Sequence, residues 1–243
     1  MEKYVSKLGG KCVEYRVENK YIISDLDMAV LAKRLEMVMQ NDIHQNGNCY
    51  TIRSVYFDDL LDSCMDENDA GINYRKKYRI RTYDTANSPI KLEIKEKTNG
   101  LTKKTSCTLT KEECGEIYEG SSNLNIGERK ELNQLLLQMK CNRMQPKTII
   151  EYERTAFVHP IGNVRITFDR NIVASKCCED FFEEKVAERI PLLPTGWHIL
   201  EVKYDEFLPD VIARQLELGN LQQTAFSKYY LGRLAINGDF IKI

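Results

Sequence analysis

No run of apolar residues in this 243-residue chain approaches the roughly 20 that a membrane-spanning helix needs. Residues 1–11 are short and polar and lack the apolar core of a signal peptide. The expectation is a cytoplasmic protein without direct membrane insertion; a membrane-protein partner stays open. Neither sign of charge dominates, since 35 Lys and Arg stand against 36 Asp and Glu, a net charge of -1. Bulk attraction to nucleic acid or membrane is therefore excluded, and any anion site must come from a local arrangement of cations. The eight cysteines form no CxxC pair, and His44, His159 and His198 are not spaced as metal ligands. That argues for reduced thiols and against zinc. The sequence has no P-loop or GxGxxG, and no Ser-His-Asp arrangement is visible in it.

What is present is an ordinary globular composition, 42% hydrophobic and 29% charged, able to bury a sizeable core in one large domain or two small ones. The segment 74–83 reads Y-R-K-K-Y-R-I-R-T-Y. Strand side chains alternate faces, so Arg75, Lys77, Arg79 and Arg81 point one way and Tyr74, Tyr78, Ile80 and Thr82 the other, with Lys76 the exception. Four cations on one face repel unless something anionic lies along them. The alternative is a solvated edge strand kept soluble by charge.

Seven further segments read as strands: 14–23, 49–58, 90–97, 102–109, 147–157, 163–171 and 197–205. Most carry one charged and one apolar face. Ser24 with Asp27, and Thr110 with Glu113, resemble capping boxes that open helices, the first running to about Gln40. An acidic stretch at 59–69 reads as a short helix, and Leu132, Leu135, Leu136 and Met139 stand at helical spacing. Pro209 opens another helix, and 226–236 forms the last. Turns are expected at 46–48, 86–89, 98–100 and 160–162, and 174–196 reads as an irregular excursion.

Eight such strands predict an α+β fold, an eight-stranded antiparallel β-barrel, or tunnel, with a charged interior and helices over its apolar outer face. The inward set comprises Arg16, Lys20, Arg75, Lys77, Arg79, Arg81, Lys95, Lys104, Arg154, Arg165, Lys203 and Lys228, with Glu14, Glu18, Glu93 and Glu201. Arginine forks and lysine point charges suit a phosphate chain, and carboxylates suit Mg²⁺ or Mn²⁺ bridging its phosphates. Such a tunnel has no room for a nucleic-acid duplex.

Eight motifs in order carry a family resemblance: R-V-E-N-K-Y at 16–21, S-V-Y-F-D at 54–58, R-K-K-Y-R-I-R-T-Y at 75–83, L-E-I-K-E-K at 92–97, Y-E-R-T-A-F at 152–157, V-R-I-T-F-D at 164–169, L-E-V-K-Y at 200–204 and F-S-K-Y at 226–229. The chain resembles the polyphosphate polymerase (VTC) domain of the triphosphate tunnel metalloenzymes, as a single domain over 1–243. The resemblance implies transfer of the ATP γ-phosphate to a growing polyphosphate chain. It implies Lys20, Arg79, Arg81, Lys95, Lys104, Arg154, Arg165 and Lys228 as phosphate ligands and Glu201 as a metal-binding carboxylate. Among these, Arg79, Arg81, Arg154 and Arg165 are taken as catalytic. Arg16, Lys20, Arg75, Lys77, Lys95, Lys104, Lys203 and Lys228 are taken as phosphate-binding, and Glu201 with Glu18 as the Mn²⁺ or Mg²⁺ ligands.

Plainer readings stand beside these. Glu201 and Lys203 suit a structural ion pair, Lys228 a solvated surface lysine, and Arg165 and Asp169 a pair on one face. Lys91, Lys97 and Lys103 are left to solvent, and the tyrosines read as packing. Related tunnel triphosphatases and adenylate cyclases resemble one another in an N-terminal E-x-E-x-K. Here Arg16 stands between Glu14 and Glu18, which favours polymer handling over hydrolysis. A polyphosphate sensor without turnover and a triphosphatase remain the competing functions.

Overall fold

The computed structural model describes residues 16–43, 45, 47–84, 89–99, 101–120, 127–219 and 221–239. Glu14 and parts of the expected turns at 46–48, 86–89 and 98–100 lie outside the described residues. All eight expected strands are present: β1 (Val17–Ser24), β3 (Tyr50–Asp58), β4 (Tyr74–Tyr83), β5 (Ile90–Thr98), β6 (Leu101–Leu109), β7 (Gln145–His159), β8 (Val164–Ser175) and β10 (Trp197–Tyr204). They form one antiparallel sheet in the order β1-β10-β8-β7-β3-β4-β5-β6. Two-residue strands β2 (Gln40–Asn41) and β9 (Ile190–Pro191) pair with β7 and β8.

The helices are α1 (Asp25–Glu36), α2 (Ser63–Asp69), α3 (Lys111–Tyr118), α4 (Lys130–Asn142), α5 (Asp210–Gln215) and α6 (Lys228–Asn237). Both expected capping boxes form, Ser24 with Asp27 on α1 and Thr110 with Glu113 on α3. Helix α1 ends at Glu36 rather than near Gln40, because Gln40 leaves the helix to pair with Val158 of β7. Strand β7 exceeds its expected bounds at both ends. Pro146 stands beside a shift in the β3–β7 register, between Tyr56 and Phe57, and such irregularities are where a strand tolerates proline.

Six strand-to-strand steps separate β1 from β5, about 29 Å in a flat sheet at roughly 4.8 Å per step. Yet Lys95 of β5 lies 3.3 Å from Glu18 of β1. The sheet is therefore curled into a half-barrel whose edges approach through charged side chains. Among the described residues no ladder joins β1 to β6, so the expected eight-stranded antiparallel arrangement curls round as a half-barrel whose two edge strands are not hydrogen-bonded to each other. The free edge of β1 is already engaged: Tyr21 bridges Gln223, and Thr224 N–H donates to the Lys20 carbonyl at 2.8 Å.

The convex face is apolar and lies under helices. Leu31 and Leu35 of α1 pack with Ile166, Phe168, Leu200, Val202 and Ile212. Val55, Ile80, Leu92 and Ile94 pack with Ile117, Leu132 and Leu135. Each fully buried leucine contributes on the order of 2 kcal/mol. Helix α6 departs from this scheme. Ile150 shares a ladder row with Ser54, and Ser54 with Arg81, so all three stand on the concave face. Gly232 of α6 lies against that face, where an added Cβ would fall 2.4 Å from Ile150 Cδ1. The missing side chain lets α6 enter the half-barrel and fill one end of it. Among the described residues, no helix is long and apolar enough to cross a membrane.

Candidate functional site: a cation-lined tunnel

The concave face is organised around four carboxylates. Glu93 of β5, 1% exposed, accepts from Arg79 Nε at 2.7 Å and from Lys104 Nζ at 2.9 Å, with Arg81 at 3.9 Å. Burial opposes its ionisation, but Arg79, Arg81 and Lys104 outweigh that and hold its carboxyl far below the usual range. Asp169 of β8, fully buried, takes a two-pronged fork from Arg154 at 2.6 and 2.8 Å. It also pairs with Lys228 at 2.6 Å. Glu201 of β10 lies 3.1 Å from Lys203 and 3.5 Å from Arg154. Glu18 of β1 lies 3.0 Å from Lys20 and 3.3 Å from Lys95. Eight cations thus meet four carboxylates, and the surplus positive charge calls for an anion.

Neutral hydroxyls aim the arginines. Arg79 donates to Tyr56 Oη at 2.9 Å, while Arg81 donates to Ser54 Oγ at 2.9 Å and Tyr152 Oη at 3.2 Å. Burial disfavours the Tyr56 phenolate, yet Arg79, Arg81 and Lys228 pull its pKa below the ordinary value. The tyrosines read as packing therefore also orient cations. Asp169 and these hydroxyls were absent from the expected site. Their signal was parity alone: Asp169 shares its strand face with Thr167 and Arg165, and Tyr56 with Ser54.

Lys77 differs from the others. Its ammonium donates to Asn68 Oδ1 of α2 at 2.6 Å and to Ser227 Oγ at 3.0 Å, and it lies 5.7 Å from the Tyr229 ring centre. Burial, then Lys95, Arg75 and Lys20, lower its pKa to about 7. Burial lowers Lys95 to about 8 against the pull of Glu18. Ser227 caps α6, and Lys20 donates to the neighbouring Phe226 carbonyl at 3.0 Å. Tyr229 is anchored by its hydrogen bond to Asp58 and stacks on Tyr56 at 5.2 Å. Bidentate pairing of Arg233 with Asp62, at 2.8 and 2.7 Å, holds the same helix.

Not every expected residue joins this cluster. Arg16 lies before β1, pairing with Asp205 at 2.7 Å and donating to the Asn163 carbonyl, so it ties strand ends together. Arg75 donates to the Ile72 carbonyl at 2.7 Å near an exposed mouth. Arg165 shares a face with Asp169 but pairs with Asp42 and donates to Tyr50 Oη at 3.0 Å, because Asp169 is taken by Arg154 and Lys228. The surface reading of Lys228 is overturned, its side chain being 11% exposed. Lys76 faces outward against Glu96 at 3.5 Å, as its parity required.

The profile of the VTC domain family matches residues 15–237. The chain belongs to the VTC domain family. A search of curated proteins finds no match to the sequence. Among solved structures, the chain is similar to a candidate adenylate cyclase from Bacillus halodurans, with 15% identity, TM-score 0.48 and coverage of 83% of this chain and 86% of that one. It is also similar to a protein of Pyrococcus horikoshii, with 12% identity, TM-score 0.48 and coverage of 89% and 97%. A Mimivirus capping-enzyme triphosphatase gives 10% identity, TM-score 0.35 and coverage of 82% and 86%.

In this VTC domain the donor set limits what kind of metal can bind. Among the described residues, no group of three or more His, Cys, Asp or Glu is arranged to hold a metal, so an all-protein cage is excluded there. Glu201 and Glu18 are close enough to interact, and despite burial the lysines around them keep both carboxyls below the usual range. Two ionised carboxylates fit Mg²⁺ or Mn²⁺, which ordinarily keep waters and complete their coordination with phosphate oxygens.

Proposed function

We propose that this VTC domain binds ATP and polyphosphate in the tunnel and transfers the ATP γ-phosphate to a growing polyphosphate chain. The observation that carries this reading is the excess of cations over carboxylates on the concave face of a curled sheet. Phosphoryl transfer asks a protein for positioning and for stabilisation of charge on the transferring group. Arg79, Arg81 and Arg154 offer forks whose present carboxylate partners occupy the places phosphate oxygens would take. Lys20, Lys95, Lys104, Lys203 and Lys228 add charge around them, and Tyr56 and Tyr152 keep the forks aimed. Glu201 and Glu18 are the residues that would hold Mn²⁺ or Mg²⁺. When bound, the metal supplies neutralisation of phosphate charge. The acceptor's terminal phosphate is already ionised at neutral pH, so no general base is required.

Incubation with ATP labelled at the γ-phosphate, in the presence of Mn²⁺, tests this reading against its competitors. A ladder of labelled chains on a gel is the expected product. Labelled orthophosphate alone would make the protein a triphosphatase, and unchanged ATP with retained binding would make it a polyphosphate sensor.

A further inference from the structure

The S-V-Y-F-D and F-S-K-Y segments end on two residues that stand outside the cation–carboxylate set, Asp58 and Tyr229. Asp58 is fully buried at the last position of β3. A buried carboxylate is costly unless its oxygens are engaged, and here neutral donors engage both. Oδ1 accepts from the backbone N–H groups of Asp59 and Cys64, each at 2.9 Å, and Oδ2 from that of Met65 at 3.1 Å. The fourth donor is the Tyr229 hydroxyl. Burial and the Asp58 charge push the Tyr229 pKa up, so the proton stays on the phenol and is donated. Three backbone bonds thus fix the carboxylate to the junction of β3 and α2, and the carboxylate fixes the outer end of the Tyr229 ring.

That ring is the surface on which Tyr56 rests, with centroids 5.2 Å apart and planes 27° from parallel. Tyr56 Oη in turn accepts from Arg79 at 2.9 Å. A tyrosine ring moves as one rigid plate about its two side-chain torsions, so a shift of Tyr229 is delivered to the Tyr56 hydroxyl and from there to the Arg79 guanidinium. We propose that Asp58 and Tyr229 are positioning residues for the transfer reaction, holding the Arg79 fork in place through the Tyr56 ring. This assignment rests on the phosphoryl-transfer reading of the tunnel, and neither residue needs to touch the phosphate chain or the metal. A misplacement of about 1 Å in a group that must meet the reacting atoms costs up to about 10²-fold in rate. Arg79 is one of several cations that would hold the ground state, so its misplacement is felt in kcat more than in KM.

Tyr229→Phe keeps the stacked ring and removes its tether, while Asp58→Asn keeps the shape and removes the charge. Each is compared with wild type in the labelled-ATP reaction, and Tyr56 is titrated by NMR of isotope-labelled tyrosine without substrate. Tyr229→Phe is expected to lower kcat about tenfold and to leave KM within about twofold. Burial disfavours the Tyr56 phenolate, and Arg79, Arg81 and Lys228 hold its pKa below the ordinary value; in the variant that pKa should rise as Arg79 drifts away. The double variant should lose no more kcat than the worse single one, because both act through one bond. A thermal melt checks folding, and if Asp58→Asn does not fold, Tyr229→Phe decides alone. An unchanged kcat in Tyr229→Phe, or a lowered kcat with the Tyr56 titration unmoved, would overturn the positioning role. A wild type that transfers no phosphate would overturn the reading beneath it, and a Tyr56 titration that still responds to Tyr229→Phe would mark that failure as the reaction's and leave the linkage of the rings standing.

Discussion

Glu93 gathers Arg79, Arg81 and Lys104 about one carboxylate, and the sign of its pH effect follows from its depressed pKa. Its stabilisation is present in full above the ordinary carboxyl value of 4.5 and fades as pH falls through the folded-state value below it. Urea unfolding at several pH values should show Glu93→Gln less stable than wild type at pH 7, with the gap narrowing below pH 4.5; a constant gap would contradict this. Asp169 is a second such point, fully buried between Arg154 and Lys228. Asp169→Ala should cost about 3–5 kcal/mol by leaving those cations unpaired, and added tripolyphosphate should return part of it. In the labelled-ATP reaction, Arg79→Ala should lose about 10²-fold or more in rate, and a near-normal rate would remove it from the catalytic set. At this scale strand parity made most of the site legible, since alternation alone sets Arg79, Arg81, Glu93 and Lys95 on one face. The pairings were not legible. Sequence parity offers Arg165 and Arg154 equally to Asp169, and the β7–β8 register that sets Arg154 directly across from Asp169 arises only in the folded sheet.

Helix α6 connects residues late in the chain to the concave face of the tunnel. Its first residue Lys228 reaches Asp169, its cap Ser227 meets Lys77, and Tyr229 stacks on Tyr56. Gly232 permits this depth, with Ile150 and Ala174 inside the space of any added methyl. Gly232→Ala should destabilise by about 1–3 kcal/mol through overpacking. By lifting the helix it should also lower the transfer rate under conditions where the variant remains folded. A variant with unchanged stability and rate would show that α6 is free to move. The helix itself was legible in the sequence; its side of the sheet was not. An apolar stripe states that a face is buried and leaves open whether it packs on a convex or a concave surface. The capping boxes of α1 and α3 were legible because their bonds run between residues three apart.

At the scale of the molecule, apolar faces turned outward under helices leave cations facing one another across a narrow space. The alternation of eight strands implied that inversion, but the mode of closure depends on which segment claims the edge of β1, and residues 223–224 do so from far along the chain. An anion that binds the folded tunnel alone should stabilise it by linkage, about 2.7 kcal/mol at a hundredfold excess over Kd. Thermal melts with tripolyphosphate should therefore show a rise in Tm that weakens as salt is added, and no rise would contradict an anion-lined interior. The most direct test is the electron density of crystals soaked with tripolyphosphate. The account predicts a phosphate chain on the concave face against Arg79, Arg81 and Arg154, with their carboxylate bonds exchanged for phosphate oxygens. Density confined to the outer surface, with those arginine–carboxylate pairs intact, would contradict it.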